Sequence, residues 1–459
     1  METGQSPQLI KHRHRHEVSP TRLIVASFVG VIVCGALLLM LPFATKDGHI
    51  GIVDAFFTAT SATCVTGLVV FDTFTKFTVF GQVVIILLIQ VGGLGLVTLT
   101  SFLNLAIGKR MGFKSMKLAS ESISVSEVSQ SGQLLRFVMS VALIFEAVGA
   151  VLLAFVFVPQ FGADGVFISV FIAISAFCNA GFDILGSLGA FGSLTPYFDN
   201  AYVLLIVSAL IVSGGLGFIV WHDIANLRKT HHLRLHTKLV LAMTACLVVF
   251  GTIGIAILEW ANPATLGEMS PFNKILNALF QSVSARTAGF NTIDLAQMSN
   301  VTKLFISVLM FIGAAPGGTG GGIKVTTLSV IIVAVASVVS GRTDATLRGH
   351  KIGQKTVYKS LAIFILSAVA VLVSALTIFY NSGPEINEMN SIFEAVSAFA
   401  TVGLSVGVTS LMNPIAKTVT MLTMFIGRVG PVSLAITLSA KRDETSKFAI
   451  MPDARINVG

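Results

Sequence analysis

One short phrase occurs four times in this chain: a Phe, three residues, Ser-Ala, and then a Gly four or five residues further on. It reads FTATSATCVTG over 57–67, FIAISAFCNAG over 171–181, FQSVSARTAG over 280–289 and FEAVSAFATVG over 393–403. The glycines, Gly67, Gly181, Gly289 and Gly403, are separated by 114, 108 and 114 residues. A period that long marks a whole structural unit repeated along the chain, and four such units can surround one axis.

Apolar runs flank every phrase, at 23–43, 79–107, 137–158, 201–221, 239–258, 304–315, 325–340, 361–380 and 418–440. Most are long enough to cross a hydrocarbon core of about 30 Å as helices. The chain is 54% hydrophobic and 11% charged, against roughly 25% charged in an average soluble domain, which excludes a water-soluble globule. Of its 30 Lys and Arg residues, 22 fall in 1–22, 109–136, 228–238, 342–359 and 441–459, which alternate with the phrase-bearing segments. The positive-inside rule puts these segments and both termini on the cytoplasmic side of a membrane crossed several times. The net charge of +8 therefore points to topology and lipid-bilayer contact, with no nucleic acid as partner.

The expected organisation is a tail at 1–22, repeats at 23–108, 137–227, 239–340 and 360–440, linkers at 109–136, 228–238 and 341–359, and a tail at 441–459. No small-residue cleavage site follows the first apolar run, so 1–22 reads as a tail before a retained helix. Its KHRHRH tract reads as a solvated, lipid-facing basic tail rather than a metal site. Cys34, Cys64, Cys178 and Cys246 show no CxxC spacing, so neither a disulfide framework nor a zinc site is supported.

Each unit reads as helix, short segment, helix. The short segments 54–66, 166–180, 273–288 and 390–402 cover at most roughly 24 Å as helices, so they enter the membrane and return as re-entrant pore helices. Helix-starting polar residues are expected at Asp54, Asp164, Ser270 with Pro271, and Asn390. The fold class expected is all-α and integral to the membrane: four helix–pore loop–helix repeats, eight transmembrane helices, around a pseudo-fourfold pore. Irregular backbone at that depth is tolerated only against protein or a wet cavity, and the four helix C-termini favour a cation on the axis. After each pore helix comes an extended stretch containing Thr66-Gly67, Asn179-Ala180-Gly181, Thr287-Ala288-Gly289 or Thr401-Val402-Gly403. Rings of backbone carbonyls there can replace an ion's hydration shell, and a Gly accepts the positive φ that turns them inward. The plain alternative, glycine used for close helix packing, fits one isolated Gly. It does not account for four glycines locked to four anchors.

A second pattern, Gly-x-x-Gly, recurs at Gly92–Gly95, Gly214–Gly217, Gly317–Gly320 and Gly427–Gly430. Close helix packing accounts for the first, second and fourth pairs. The third unit differs: as one straight helix, 303–340 would measure about 57 Å, so it must break. Pro316, Gly317, Gly318, Thr319, Gly320, Gly321 and Gly322 form an irregular loop placed to obstruct the path, the gate. Lys324 ends the broken stretch, and Arg428 lies inside the last apolar helix. An unpaired charge at that depth costs about 2.5 to 3.5 kcal/mol, so a partner is expected. Carbonyls freed by 316–322 would give Arg428 a gate role; a structural clamp or snorkelling remains the alternative. Glu146 reads equally as a helix-packing partner, a water-facing group or an ion site. Asp72, Asn179, Asp183, Asn291 and Asp294 lie near the filter mouths, and Arg286 braces the third filter by hydrogen bonding.

The phrases SARTAGFNTID, GGTGGGIK, SAFATVGLS and IGRVGP resemble the superfamily of Trk, Ktr and HKT potassium transporters over about 22–459. Thr401-Val402-Gly403-Leu404 is similar to the TVGYG filter of potassium channels. With about 22 residues before its first helix, the chain looks like a Ktr-type membrane subunit, Trk-type chains carrying two further N-terminal helices. The resemblance implies a bacterial K+ uptake system that depends on Na+, K+ held at Gly67, Gly181, Gly289 and Gly403, and a homodimer with one pore per subunit. It also implies a gate at 313–324 held by Arg428, and control by a cytosolic ring of RCK-type subunits binding ATP and ADP. HKT proteins that favour sodium have Ser in the first filter, where this chain has Gly67. The third phrase is one residue short, so looser selectivity than in a symmetric channel is expected. Partner contacts are expected on 109–136, 228–238 and 342–359, and dimer contacts on the C-terminal tail.

No organic cofactor is expected, since no Walker loop or Rossmann unit occurs. No helix carries Arg or Lys at every third position, which excludes a voltage sensor, and four same-sense units exclude an inverted-repeat transporter. No constellation supports an enzyme. The alternative that stays open is a Na+ conductor or Na+/K+ symporter on the same scaffold.

Overall fold

The computed structural model describes residues 20–95, 131–342, 344–347, 349–383 and 386–431. The N-terminal tail before 20, most of the 109–136 linker and the C-terminal tail lie outside them. Four described helices are long and apolar enough to cross a membrane, with spans at Arg22–Leu39, Leu135–Phe161, Leu235–Glu259 and Gln354–Asn381; a bent pair at 201–225 makes up to five. The first helix is α1 (Pro20–Leu39), followed by the short α2 (Ile52–Cys64) and the inner α3 (Val79–Leu94). The order then repeats with α4 (Ser131–Phe161), short α5 (Asp164–Phe177), and α6 (Ala201–Gly215) continued by α7 (Phe218–Ala225). The third group is α8 (Leu235–Glu259), short α9 (Pro271–Ser284), α10 (Asn300–Phe311) and α11 (Val325–Val339). The fourth is α12 (Gln354–Asn381), short α13 (Glu388–Ala400) and α14 (Pro414–Val429).

The long helices keep apolar side chains exposed on their outer faces, among them Val151 and Phe155 on α4, Ile253 and Ile257 on α8, and Ile365 and Leu372 on α12. Inside, the phrase residues Phe57, Phe171, Phe280 and Phe393 are buried, each anchoring a short helix in the core. Every short helix also packs on the inner helix of the preceding group: α5 on α3, α9 on α6, α13 on α10, and α2 on α14. That last contact joins the first group to the fourth and closes the circle.

The short helices begin two residues before the expected segments. Ser270 caps α9 as expected, its hydroxyl accepting from the Asn273 N–H at 3.3 Å. The cap of α13 is Asn387, not Asn390: its side chain accepts from the Asn390 N–H at 2.8 Å. Asp54 sits within the first turn of α2, whose cap is Gly51, and Asp164 is the first residue of α5.

The Gly-x-x-Gly pairs do more than pack helices. Their first glycines, Gly92, Gly214 and Gly427, seat against the carbonyl oxygens of Thr63, Phe177 and Phe399, where a Cβ would collide. Their second glycines end the helices, with φ of +82° at Gly95, +87° at Gly217 and +93° at Gly430, a region that side chains with a Cβ avoid. At Gly217 the chain turns by 94°, so the third unit is not the only broken one. The bend is possible because loop 315–319 supplies hydrogen-bond partners: Ala315 N–H to Gly215 O at 3.0 Å, Thr319 N–H to Gly214 O at 3.2 Å, and Phe218 N–H to Gly317 O at 3.0 Å.

Candidate functional site

The C-termini of α2, α5, α9 and α13 run into four segments of one design. The N–H of the residue before each glycine donates to the phrase Ser carbonyl: Thr66 to Ser61 at 2.8 Å, Ala180 to Ser175 at 2.7 Å, Ala288 to Ser284 at 2.9 Å and Val402 to Ser397 at 2.9 Å. The Ser61 and Ser397 hydroxyls accept from the Gly67 and Gly403 N–H groups, each at 3.1 Å. In the third, shortened segment the Ser284 hydroxyl instead donates to the Phe290 carbonyl. Gly67, Gly181, Gly289 and Gly403 have φ of +91°, +68°, +84° and +90°. Two residues earlier stands a second left-handed position that sequence reasoning missed: Val65, Asn179, Thr287 and Thr401, with φ from +51° to +73°. Only Asn179 belongs to a residue type enriched there, and it is the sole local signal.

The segments close into a ring in chain order. A Cβ on Gly67 would run into the Ala180 carbonyl oxygen, one on Gly181 into that of Ala288, one on Gly289 into that of Val402, and one on Gly403 into that of Thr66. The four glycines are thus pressed together around one axis with carbonyls between them. They form the floor of a cavity of about 280 Å³ whose lining includes Asp72, Asp183, Asn291, Asp294, Ser405 and Thr409. Burial pushes Asp183 up to about 6, against the Leu185 N–H that favours its charged form; the nearby Asp72 carboxylate adds to the rise. Asp72 accepts from the Thr75 N–H at 2.8 Å and the Phe191 N–H at 3.1 Å, tying the first group to the second. Asn179 lies on the opposite side of the ring, where its amide pairs with the Thr287 hydroxyl at 3.0 Å.

On that side lies the loop between α10 and α11. Thr319 donates its hydroxyl to the Phe177 carbonyl at 3.1 Å, and the Gly321 N–H donates to the Thr401 hydroxyl at 2.9 Å. A Cβ on Gly320 or Gly321 would strike the hydroxyl of Thr287 or Thr401, which explains why this stretch is built of glycine. Arg428 donates to the carbonyls of Thr319, Gly92 and Gly93; Lys324 Nζ donates to Gly320 O at 2.6 Å. The cations expected to need partners thus find them in backbone carbonyls, and Arg428 joins the loop to α3. Pro316, Gly317, Gly318 and Gly322 complete the turn, with Gly317 and Gly322 at positive φ.

Arg286 points away from the ring and donates to the Thr244 carbonyl and hydroxyl at 3.5 and 3.4 Å, a brace to α8. Glu146 is buried and accepts from Gln90 Nε2 at 3.0 and 3.1 Å, which makes it a partner between α4 and α3.

A family model described as "TrkH: Cation transport protein" matches residues 7–448. The chain is 37% identical to the potassium/sodium uptake protein NtpJ of Enterococcus hirae, over 98% of this chain and 100% of that one. It is 36% identical to the Ktr system potassium uptake protein B of Bacillus subtilis, over 96% and 97%. Among solved structures, the potassium transporter TrkH of Vibrio parahaemolyticus superposes with a TM-score of 0.71 at 20% identity, covering 93% of this chain and 86% of that one.

Proposed function

This chain belongs to the TrkH family of cation transport proteins, and on that premise we propose that it is the ion-translocating membrane subunit of a bacterial K+ uptake system. It is a transporter and not an enzyme. The observation that carries the reading is the closed ring of Gly67, Gly181, Gly289 and Gly403 beneath an acid-lined cavity. In this reading a K+ ion sheds water in the cavity and is held by carbonyls of Thr66, Ala180, Ala288 and Val402 and of the glycines. The C-terminal ends of α2, α5, α9 and α13 add negative potential at the same point. Loop 313–324 is the gate: it lies across the exit from the ring, and Arg428 holds it through the Thr319 carbonyl.

The names of relatives as uptake proteins for potassium, or potassium and sodium, support the ion class. The name of one as component B of a Ktr system supports a multi-component assembly, here a homodimer governed by a cytosolic RCK-type ring that binds ATP and ADP. Na+ dependence, cytoplasmic termini and a plasma-membrane location belong to the same proposal. The test is 86Rb+ and 22Na+ uptake in a host lacking its own potassium transporters. Changing any one of the four glycines to Ser is expected to abolish Rb+ selectivity. Unchanged selectivity in all four variants overturns the ring as filter, and preferential 22Na+ uptake favours the Na+-conducting alternative.

A further inference from the structure

Three of the four left-handed residues on the exit side of the ring carry side-chain oxygens, and the gate loop already bonds to that of Thr401 and lies against that of Thr287. Thr401 Oγ1 accepts from the Gly321 N–H at 2.9 Å, Thr287 Oγ1 is in contact range of Gly320, and Asn179 pairs with Thr287 at 3.0 Å. The fourth residue, Val65, offers none. All four side chains are buried, so bulk water cannot satisfy these oxygens. What the loop brings to them is positive in character: an N–H donor, with the Lys324 ammonium bonded to the neighbouring Gly320 carbonyl. A cation leaving the ring needs oxygens at this place, since a partly dehydrated ion must find ligands at every step.

We propose that the loop and the permeating cation compete for the same side-chain oxygens, Thr401 Oγ1 and Thr287 Oγ1, so that occupancy by the ion displaces the gate. The inference rests on the ring-and-gate reading above and adds its chemistry: the loop acts as a tethered stand-in for the ion, and filter and gate are two states of one set of ligands. By linkage, whatever loosens the loop without touching these oxygens must tighten ion binding.

Two variants separate competition from a merely structural latch. Thr319→Val removes the hydroxyl that bonds the loop to Phe177 O but leaves the shared oxygens intact. Thr401→Val removes a shared oxygen. The measurements are Rb+ binding to the full-length protein in lipid nanodiscs and hydrogen exchange of the peptide spanning 313–324, with or without Rb+. Rb+ is expected to speed exchange of the wild-type loop. Both variants are expected to exchange faster without Rb+. Thr319→Val should bind Rb+ roughly threefold to tenfold more tightly, the factor carried by one net hydrogen bond, and Thr401→Val more weakly.

Wild-type exchange indifferent to saturating Rb+, or affinity shifts of the same sign in both variants, overturns the proposal. If one variant misfolds, seen as lost protection in α4 and α8, the wild-type Rb+ dependence decides alone. The Gly403→Ser control distinguishes the two readings. Rb+ binding that keeps its preference over Na+ in this variant counts against the ring, whereas a preference lost in Gly403→Ser while the wild-type loop ignores Rb+ refutes the competition alone.

Discussion

At the scale of single residues, the ring stores backbone strain as well as close contacts. Val65, Thr287 and Thr401 are β-branched and left-handed, a conformation that costs such residues about 1–2 kcal/mol. Val65 has no side-chain oxygen to offer the loop, so its strain has no evident return. Its side chain is packed in the core instead, so Val65→Asn is expected to destabilise the protein by about 1–3 kcal/mol despite the easier backbone, read as a lowered melting temperature in detergent. Asp183 makes a second residue-level prediction. Its carboxyl ionises as pH rises through about 6, so the cavity gains negative charge above that value and loses it below. Rb+ uptake at sub-saturating concentration should rise between about pH 5 and pH 7, and Asp183→Asn should flatten that rise. A pH profile unchanged by the substitution would remove Asp183 from the ion path. The glycines were legible at this scale from the repeat alone; the left-handed Val and Thr residues were not, because nothing in a Val or Thr by itself favours that conformation.

At the scale of elements, the inner helices are defined by where glycine lets them approach and where it lets them stop. Gly427 faces the Phe399 carbonyl with no room for a Cβ, whereas Gly30 on α1 has nothing within 4 Å. Gly427→Ala should therefore destabilise by about 1–3 kcal/mol through overpacking. Gly30→Ala should be neutral or stabilising by about 0.5–1 kcal/mol through helix propensity. Equal effects on thermal unfolding would show that the close approach is not what Gly427 serves. Arg428→Gln shortens the reach to the Thr319 and Gly92 carbonyls and is expected to raise Rb+ flux at normal expression. The break after α10 was legible from Pro316 and the glycine run. The 94° turn at Gly217 was not, since a Gly-x-x-Gly pair in an apolar helix also serves packing; the turn is specified by its hydrogen bonds to the distant 315–319 loop.

At the scale of the whole molecule, the circle is closed by polar stitches on the side where the short helices start. Asn277 of the third group donates to Phe198 O of the second at 2.8 Å, Lys303 of the third to Asn390 of the fourth at 3.2 Å, and Lys417 of the fourth to Asp54 of the first at 2.7 Å. Lys417 and Asp54 are 363 residues apart and mostly buried, with side-chain exposures of 13% and 20%. Lys417→Met should cost about 2 kcal/mol, and the Asp54→Asn, Lys417→Met pair less than the sum of the singles. Strict additivity in that double-mutant cycle would dismiss the stitch. By itself the sequence determined that four units repeat, that each carries one glycine requiring positive φ, that the third must break, and that Arg428 needs a partner. These follow from local physics: chain length against membrane thickness, glycine's freedom at positive φ, and the cost of an unpaired charge. Only the tertiary structure decided which carbonyl each glycine meets, that Arg428 reaches α3 as well as the loop, and that the loop bonds to two of the four segments, at Phe177 and Thr401. Those are choices among partners far apart in the chain, set by packing around a common axis.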